Sequence, residues 1–463
     1  MFNIGAIEKN IKRKLSALKE LDDNAYGHLL GKIEFNKIQR LKKMSRQTIK
    51  KYLAGGIGGY KKRMSVKGLI AHINLPSHKK KILYVCYAPT FNLVRQSMYL
   101  RRTGEYETIL LTETPWLGDF TEKYFDTVYV YDSNYALSNI LNKAIPYILH
   151  VLGSICNSEY FSVLARLLSK SLVVSEFYDV ASLCVSKKDA GEIWGKANVE
   201  LGFFSERFAC ERSDGFILGY SPKAMEILKN CYDIRIPMLE FHSYVCDEFI
   251  SGDNSKYSDV DGKIHIVYGG MVASSRFPEK FFGDIQFHRL IETITKQGIY
   301  FDIFLSPQYN ALRVKQLFGD YMLMAKKNPL FNFKRGLSPN EAPKEFSKYD
   351  FGAMIYLFDR GTSLEEHNQT RLPTKVFTYL EAGIPILISE EFQYVARLVK
   401  EHEIGIVINR KDLDNLPDVI NRYDIGKLRA NVKKAQKELC MDKHIGRLIT
   451  FYEQVHRLAL SRR

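Results

Sequence analysis

Two doubly wound α/β domains behind a basic helical extension are what this sequence predicts, on three observations. Strand–helix alternation begins at Lys81, lapses in the polar, turn-rich stretch 251–262, and starts again at Ile264. Alternation of this kind builds a parallel sheet covered by helices on both faces. The stretch 371–389, Arg-Leu-Pro-Thr-Lys-Val-Phe-Thr-Tyr-Leu-Glu-Ala-Gly-Ile-Pro-Ile-Leu-Ile-Ser, reads as a helix leaving a loop, stopped by Gly383 and Pro385, then as an apolar strand. The charge, finally, is lopsided. Residues 1–81 carry 20 Lys+Arg against 5 Asp+Glu, which accounts for the whole formal net charge of +15.

The extension, residues 1–80, comes first. Ile11, Leu15, Leu18 and Leu21 recur near helical spacing with Lys12, Arg13, Lys14 and Lys19 between them. A second basic segment, 38–53, sets Leu41, Met44, Ile49 and Leu53 among Lys42, Lys43, Arg46, Lys50 and Lys51, and the glycines of 55–59 break it. Two readings stand side by side. One is an amphipathic anchor lying on an anionic membrane surface; the other is a solvated basic arm. Nucleic acid is not the expected partner, because Phe2, Tyr26, Phe35, Tyr52 and Tyr60 are not interleaved with the basic residues as a base-stacking platform requires. The first residues lack a basic stretch followed by a long apolar core, so no signal peptide is expected. The most apolar window, 144–156, is too short to span a bilayer. Seven scattered cysteines without a Cys-x-x-Cys predict reduced thiols in a cytoplasmic protein.

The first α/β domain is expected over 81–255, with strands at 82–87, 108–112, 127–131, 171–177 and 215–218. The loop 88–92 leads into a helix over 93–102. The second domain is expected over 256–445, with strands at 264–268, 300–305, near 331–333, and at 351–356, 384–389 and 405–408. A helix over 446–463 closes the chain. In doubly wound sheets ligands bind outside the carboxyl ends of strands, here expected in the cleft between the domains. Pro373 suits the first helical position and Gly383 a left-handed position past the end. Thr374 and Lys375 then sit at a helix N-terminus, where free N–H groups and the helix dipole favour an anion.

At this point the chain resembles the GT-B glycosyltransferases of the family 4 and family 1 type. Tyr349-Asp-Phe-Gly-Ala-Met-Ile-Tyr356 and Leu372-Pro-Thr-Lys-Val-Phe-Thr-Tyr-Leu-Glu-Ala-Gly-Ile-Pro385 follow the order, spacing and flanking strands of two motifs in that group. The resemblance covers roughly residues 81–450 and is strongest in the C-terminal half. It implies two Rossmann-like domains facing across a cleft, an acceptor in the first and a nucleotide-diphosphate sugar in the second. Lys375, Thr374 and the helix amides would face the donor diphosphate, and Gly269 and Gly270 would let backbone approach the nucleotide. Arg276 and Lys280 lie where many members carry cations for the leaving phosphates, and Arg335 follows a strand on the same side; surface charge is the alternative for all three. One departure stands out. Members usually place a ribose-binding Glu where this chain has Thr378, and retaining members a second Glu where it has Thr370. Glu381 is the nearest carboxylate on that helix, about 4.5 Å further along its axis.

The catalytic base is expected from the first domain. Asp179 and Glu176, at the carboxyl end of the strand ending near Phe177, are the candidates, with helix capping or structural hydrogen bonding as the alternative. Thr90 and Asn92 are expected to line the acceptor site. His242 is read as structural. The stretch 359–367 is read as a mobile loop over the donor site; no metal site and no cofactor beyond the donor substrate are expected. The expectation is a cytoplasmic hexosyltransferase, peripheral on the inner membrane face, that moves a sugar to a glycan or lipid-linked acceptor in cell-surface polysaccharide synthesis. Two rivals remain: a non-catalytic relative that binds a sugar nucleotide or scaffolds a glycan-assembly complex, and an epimerase of the same architecture.

Overall fold

The computed structural model describes residues 9, 12–16, 18, 21–33, 64–114, 119–155, 158–252, 254–309, 311–357 and 365–461. The chain divides into two compact units. The first holds Met1–Leu218, Glu226–Glu240 and Leu448–Arg463; the second holds Gly219–Met225 and Phe241–Arg447.

The first unit is built on seven parallel strands: β1 (Lys80–Cys86), β2 (Tyr106–Thr112), β3 (Thr127–Val130), β4 (Ile148–Gly153), β5 (Val173–Phe177), β6 (Gly215–Leu218) and β7 (Met238–Glu240). Their order is β3-β2-β1-β4-β5-β6-β7, so the winding reverses between β1 and β4. Alternate residues of a strand share a face. Leu83 and Val85, Ile109 and Leu111, and Leu149 and Val151 accordingly join one hydrophobic core with the helices that cover that face. Five of these strands match the expected ones. β4 was not among them. Its six residues are all buried, so it reads as a continuous apolar run, which periodicity cannot separate from a buried helix. β7 has only three residues and gives no pattern.

The described part of the extension belongs to this core. Leu15, Leu18, Leu21, Ala25, Leu29 and Ile33 are buried in it beside Leu69 and Ile73. The Lys14 ammonium donates to Asn142 Oδ1 at 3.1 Å and to the Leu168 carbonyl at 3.2 Å, and burial holds its pKa below the ordinary lysine value. The apolar stripe at 15–21, one half of the anchor reading, is therefore covered by the protein itself. The second basic segment, 38–53, and the glycines at 55–59 lie outside the described residues. Among the described residues no helix is long and apolar enough to cross a membrane.

The second unit repeats the plan with six parallel strands: β8 (His265–Gly270), β9 (Tyr300–Leu305), β10 (Phe331–Lys334), β11 (Phe351–Met354), β12 (Ile386–Ser389) and β13 (Gly405–Ile408). The order is β10-β9-β8-β11-β12-β13, reversing between β8 and β11. Every one of these strands lies where the sequence placed it. The helix before β12 runs Thr374–Glu381, with Pro373 one position earlier than expected, as an extended N-cap at φ −67° and ψ 145°. Gly383 takes the left-handed conformation at φ 70°. The amides of Gly383 and Ile384 bond back to the carbonyls of Leu380 and Tyr379, the paired bonds of a Schellman stop.

Candidate functional site: a lysine and an arginine at a helix N-terminus

In the second unit the sheet reverses at β8 and β11, and the Thr374–Glu381 helix starts beside their carboxyl ends. Tyr379 pins the helix to both strands. Its hydroxyl donates to the Ala353 carbonyl at 2.9 Å and accepts from the Gly269 amide at 3.3 Å. This fixes the helix start against Gly269 and Gly270. Gly270 has φ 148°, a conformation L side chains rarely adopt, and a Cβ there would lie 3.3 Å from Lys375 Nζ.

Lys375 is the centre of the site. Its ammonium donates to Tyr268 Oη and Tyr356 Oη, both at 2.9 Å, and lies 4.2 Å from the centre of the Tyr268 ring. Tyr268 commits its own proton to the Met271 carbonyl at 2.7 Å, so its oxygen lone pairs face the lysine. Burial lowers the Lys375 pKa, Arg371 lowers it further, and Tyr356 and Asp284 oppose both. Asp284, buried, has its pKa raised by desolvation, with Arg371 and then Lys375 pulling it back down. Arg371, four residues before Lys375, thus shares one electrostatic neighbourhood with Lys375 and Asp284. Its guanidinium also lies over the Phe392 ring, which packs edge-on to Tyr356.

The other expected donor residues fall as follows. Thr374 is buried, its hydroxyl 3.0 Å from Ser243 Oγ. Thr378 is buried on the same helix. Glu381 is fully buried, and its carboxylate accepts the Cys246 amide at 2.7 Å, so it fastens the 241–250 segment to the helix. Thr370 is also buried and donates to the Glu366 carbonyl. Arg276 is exposed and donates to the Gln316 carbonyl at 3.2 Å. Its loop is tied down by Asp320, which accepts from Ser274 Oγ, the Ser275 amide and the His288 ring. Lys280 lies on the Glu279–Phe282 helix, and Arg335 is exposed just after β10. His242 lies 3.3 Å from Tyr394 Oη. Of the expected loop, residues 359–364 lie outside the described residues, and 365–367 begin the Glu365–Thr370 helix.

In the first unit, Thr90 caps the Phe91–Arg102 helix by accepting the Leu93 amide. Asn92, expected at the acceptor site, and Glu176, expected as a base, meet each other in the interior instead. Asn92 Nδ2 and Gln96 Nε2 each donate to the Glu176 carboxylate at 2.8 Å, and His150 Nε2 lies 3.0 Å from it. Glu176 is 1% exposed. Asp179 is partly exposed, in the turn between β5 and the Ala181–Cys184 helix. That helix is capped from a distance by buried Glu206, which accepts the Ala181 amide at 2.5 Å and the Tyr232 hydroxyl at 2.9 Å.

Sequence reasoning passed over Tyr268, Tyr356, Arg371 and Asp284. A signal for the two tyrosines was present: each ends an expected strand, and those strands flank the reversal of the sheet.

Comparison with known structures decides the architecture. The chain is similar to sucrose-phosphate synthase from Thermosynechococcus elongatus, with a TM-score of 0.56 at 12% identity over 82% of this chain and 100% of that one. The fold is GT-B. HepE from Anabaena, solved in complex with UDP, is similar at a TM-score of 0.52 and 11% identity, over 82% of this chain and 100% of that one. A glycosyltransferase from Rickettsia africae gives 0.52 and 12%, over 82% and 99%. Within the GT-B chain, residues 304–450 match the family described as glucosyltransferase 3-like, C-terminal domain. This matched stretch contains Lys375, Arg371 and Tyr356. No curated protein matches the chain by sequence.

Proposed function

We propose that the protein is a hexosyltransferase that moves a sugar from a nucleotide-diphosphate sugar to a glycan or lipid-linked acceptor, in cell-surface polysaccharide synthesis at the inner face of the membrane. The observation that carries this reading is Lys375. It is a partly buried cation at a helix N-terminus, beside the Gly269–Gly270 end of β8. Transfer leaves a diphosphate behind, and its developing charge is what a preorganised ammonium and helix amides stabilise. The phenols of Tyr268 and Tyr356 hold the ammonium in place without neutralising it. The GT-B fold, the glucosyltransferase 3-like match and a similar structure holding UDP all support a sugar-nucleotide donor.

On the acceptor side Asp179 is the better base of the two candidates. It is partly exposed at the end of β5, whereas Glu176 is closed inside a hydrogen-bond network. Incubation with a panel of nucleotide sugars, read by mass spectrometry, identifies the donor. Lys375→Ala should then lower turnover by about 10²-fold or more, the effect of losing one preorganised donor to the leaving group. Asp179→Asn should lower it by about 10²-fold or more with donor affinity kept. Turnover unchanged in Lys375→Ala would sink the reading.

A second reading rests on a specific observation. Thr370 and Thr378 stand where carboxylates are common, and Glu381 turns its carboxylate into the fold. A protein that binds a sugar nucleotide without turning it over would show nucleotide binding by calorimetry and no donor hydrolysis.

A further inference from the structure

The Thr374–Glu381 helix is preceded by a chain of three side chains that no donor role above explains. Tyr220 Oη lies 2.8 Å from His367 Nδ1, and Arg371 Nη1 lies 2.8 Å from His367 Nε2. A guanidinium can only donate. His367 Nε2 therefore accepts, the ring is neutral, and its one hydrogen sits on Nδ1, donating to Tyr220 Oη. Burial, with Arg371 beside it, pushes the His367 pKa well below the ordinary value, in agreement with that assignment. Two backbone links hold the arrangement in register: an isolated bridge between Tyr220 and Arg371, and a bond from the Ser221 amide to the Thr370 carbonyl at 2.8 Å. One end of Arg371 is thus fixed by an imidazole acceptor. Its guanidinium lies 5.4 Å from the centre of the Phe392 ring, which packs edge-on to Tyr356, the phenol that takes the Lys375 ammonium, so its charge sits beside the site; its influence on Asp284 and Lys375 agrees with that placement.

We infer that Arg371 is a second diphosphate-binding cation, acting with Lys375, and that His367 is the positioning residue that aims it through Nε2. A planar guanidinium suits two phosphate oxygens at once, where the lysine supplies a point charge. The inference rests on the donor-phosphate reading of Lys375, and pyrophosphate, the chemistry common to all nucleotide-diphosphate donors, is the probe.

The experiment is calorimetric titration of the full chain with inorganic pyrophosphate, together with thermal unfolding of each variant. If the wild type binds and Lys375→Ala loses binding, the donor-phosphate reading holds independently of Arg371. Arg371→Ala should then weaken binding about tenfold or more, as expected for one charge-assisted contact. Affinity within about twofold of wild type would overturn the role of Arg371 while leaving Lys375 in place. His367 is tested by two isosteres. In His367→Gln the amide oxygen replaces Nε2 and keeps the acceptor for Arg371; in His367→Asn the amide nitrogen replaces Nδ1 and keeps only the donor to Tyr220. Positioning through Nε2 requires that Gln bind nearly as wild type and that Asn weaken binding about as much as Arg371→Ala. Equal behaviour of the two variants, or the reverse order, would overturn it. Unfolding midpoints report the tie to Tyr220 separately, so loss of stability alone does not produce the expected pattern.

Discussion

Each unit holds a buried polar cluster at its sheet, around Glu176 in the first and Lys375 in the second, and the two differ in what sits at the centre. In the first unit a carboxylate is central. Glu176 collects Asn92, Gln96 and His150, and His150 passes on to Tyr452 Oη at 2.7 Å. In the second an ammonium is central, held by two phenols, with a guanidinium nearby and a buried acid, Asp284, whose raised pKa both cations pull back down. A carboxylate surrounded by donors is satisfied and needs nothing further. The Lys375 ammonium is instead gripped by two phenols, which leave it donating to groups weaker than a carboxylate. On the proposed donor-phosphate reading, the sign of the central group separates a cluster that braces the fold from one prepared for an anion.

The contrast breaks most visibly at Glu176. Glu176→Ala leaves buried donors and His150 without their acceptor, and should cost about 3–5 kcal/mol of stability by urea unfolding, with pyrophosphate affinity retained. Should that variant instead keep its stability and lose turnover, Glu176 is the base and the network is catalytic. A smaller effect is expected at Gly270. Gly270→Ala forces a side chain into a backbone conformation costing about 1–3 kcal/mol, and its Cβ would meet Tyr268 Oη at 3.2 Å and Lys375 Nζ at 3.3 Å. Pyrophosphate affinity should fall severalfold; unchanged affinity would mean that the phenol–lysine contact does not set the site.

The smallest effect is in the pH dependence. The Lys375 pKa is lowered in the fold, so the folded state sheds its proton at a lower pH than the unfolded chain does. Its contribution to stability therefore rises with pH across the window between the lowered value and the ordinary one near 10.5. Pyrophosphate binding moves the other way and should fall on the alkaline side at a pH below the ordinary lysine range. Lys375→Arg should bind without that alkaline limb, since a guanidinium does not titrate there.

What could be read in advance follows the range of the forces involved. The stop at Gly383, the strand at 386–389 and all six strands of the second unit depend on neighbours in sequence, and they stand where expected. β4 was passed over because burial on both faces erases alternation. The helix that carries Lys375 was legible, since a helix start, a lysine and a glycine stop lie within a few residues. The lysine's partners Tyr268 and Tyr356, 107 and 19 residues away, were signalled only by their places at the ends of strands flanking the sheet reversal, and the Glu206 cap of the Ala181–Cys184 helix, from 25 residues downstream in the first unit, had no local signal. Glu381 and Glu176 looked like available carboxylates because sequence reports their chemistry and not their burial. Leu15, Leu18 and Leu21 misled in the same way: an amphipathic stripe reads alike whether a lipid or a neighbouring helix covers it.

The phenols around Lys375 bear on how fast the site can be emptied and refilled. Had a carboxylate held that ammonium, each arriving diphosphate would have had to displace a resident anion, and each departing one would have been chased out by it. Tyr268, its pKa raised by burial and its proton donated to the Met271 carbonyl, is no such anion. Asp284 is the acid that still acts on the lysine, and its burial disfavours its own charge; on the proposed donor-phosphate reading, such a setting suits repeated uptake and release of a multiply charged nucleotide.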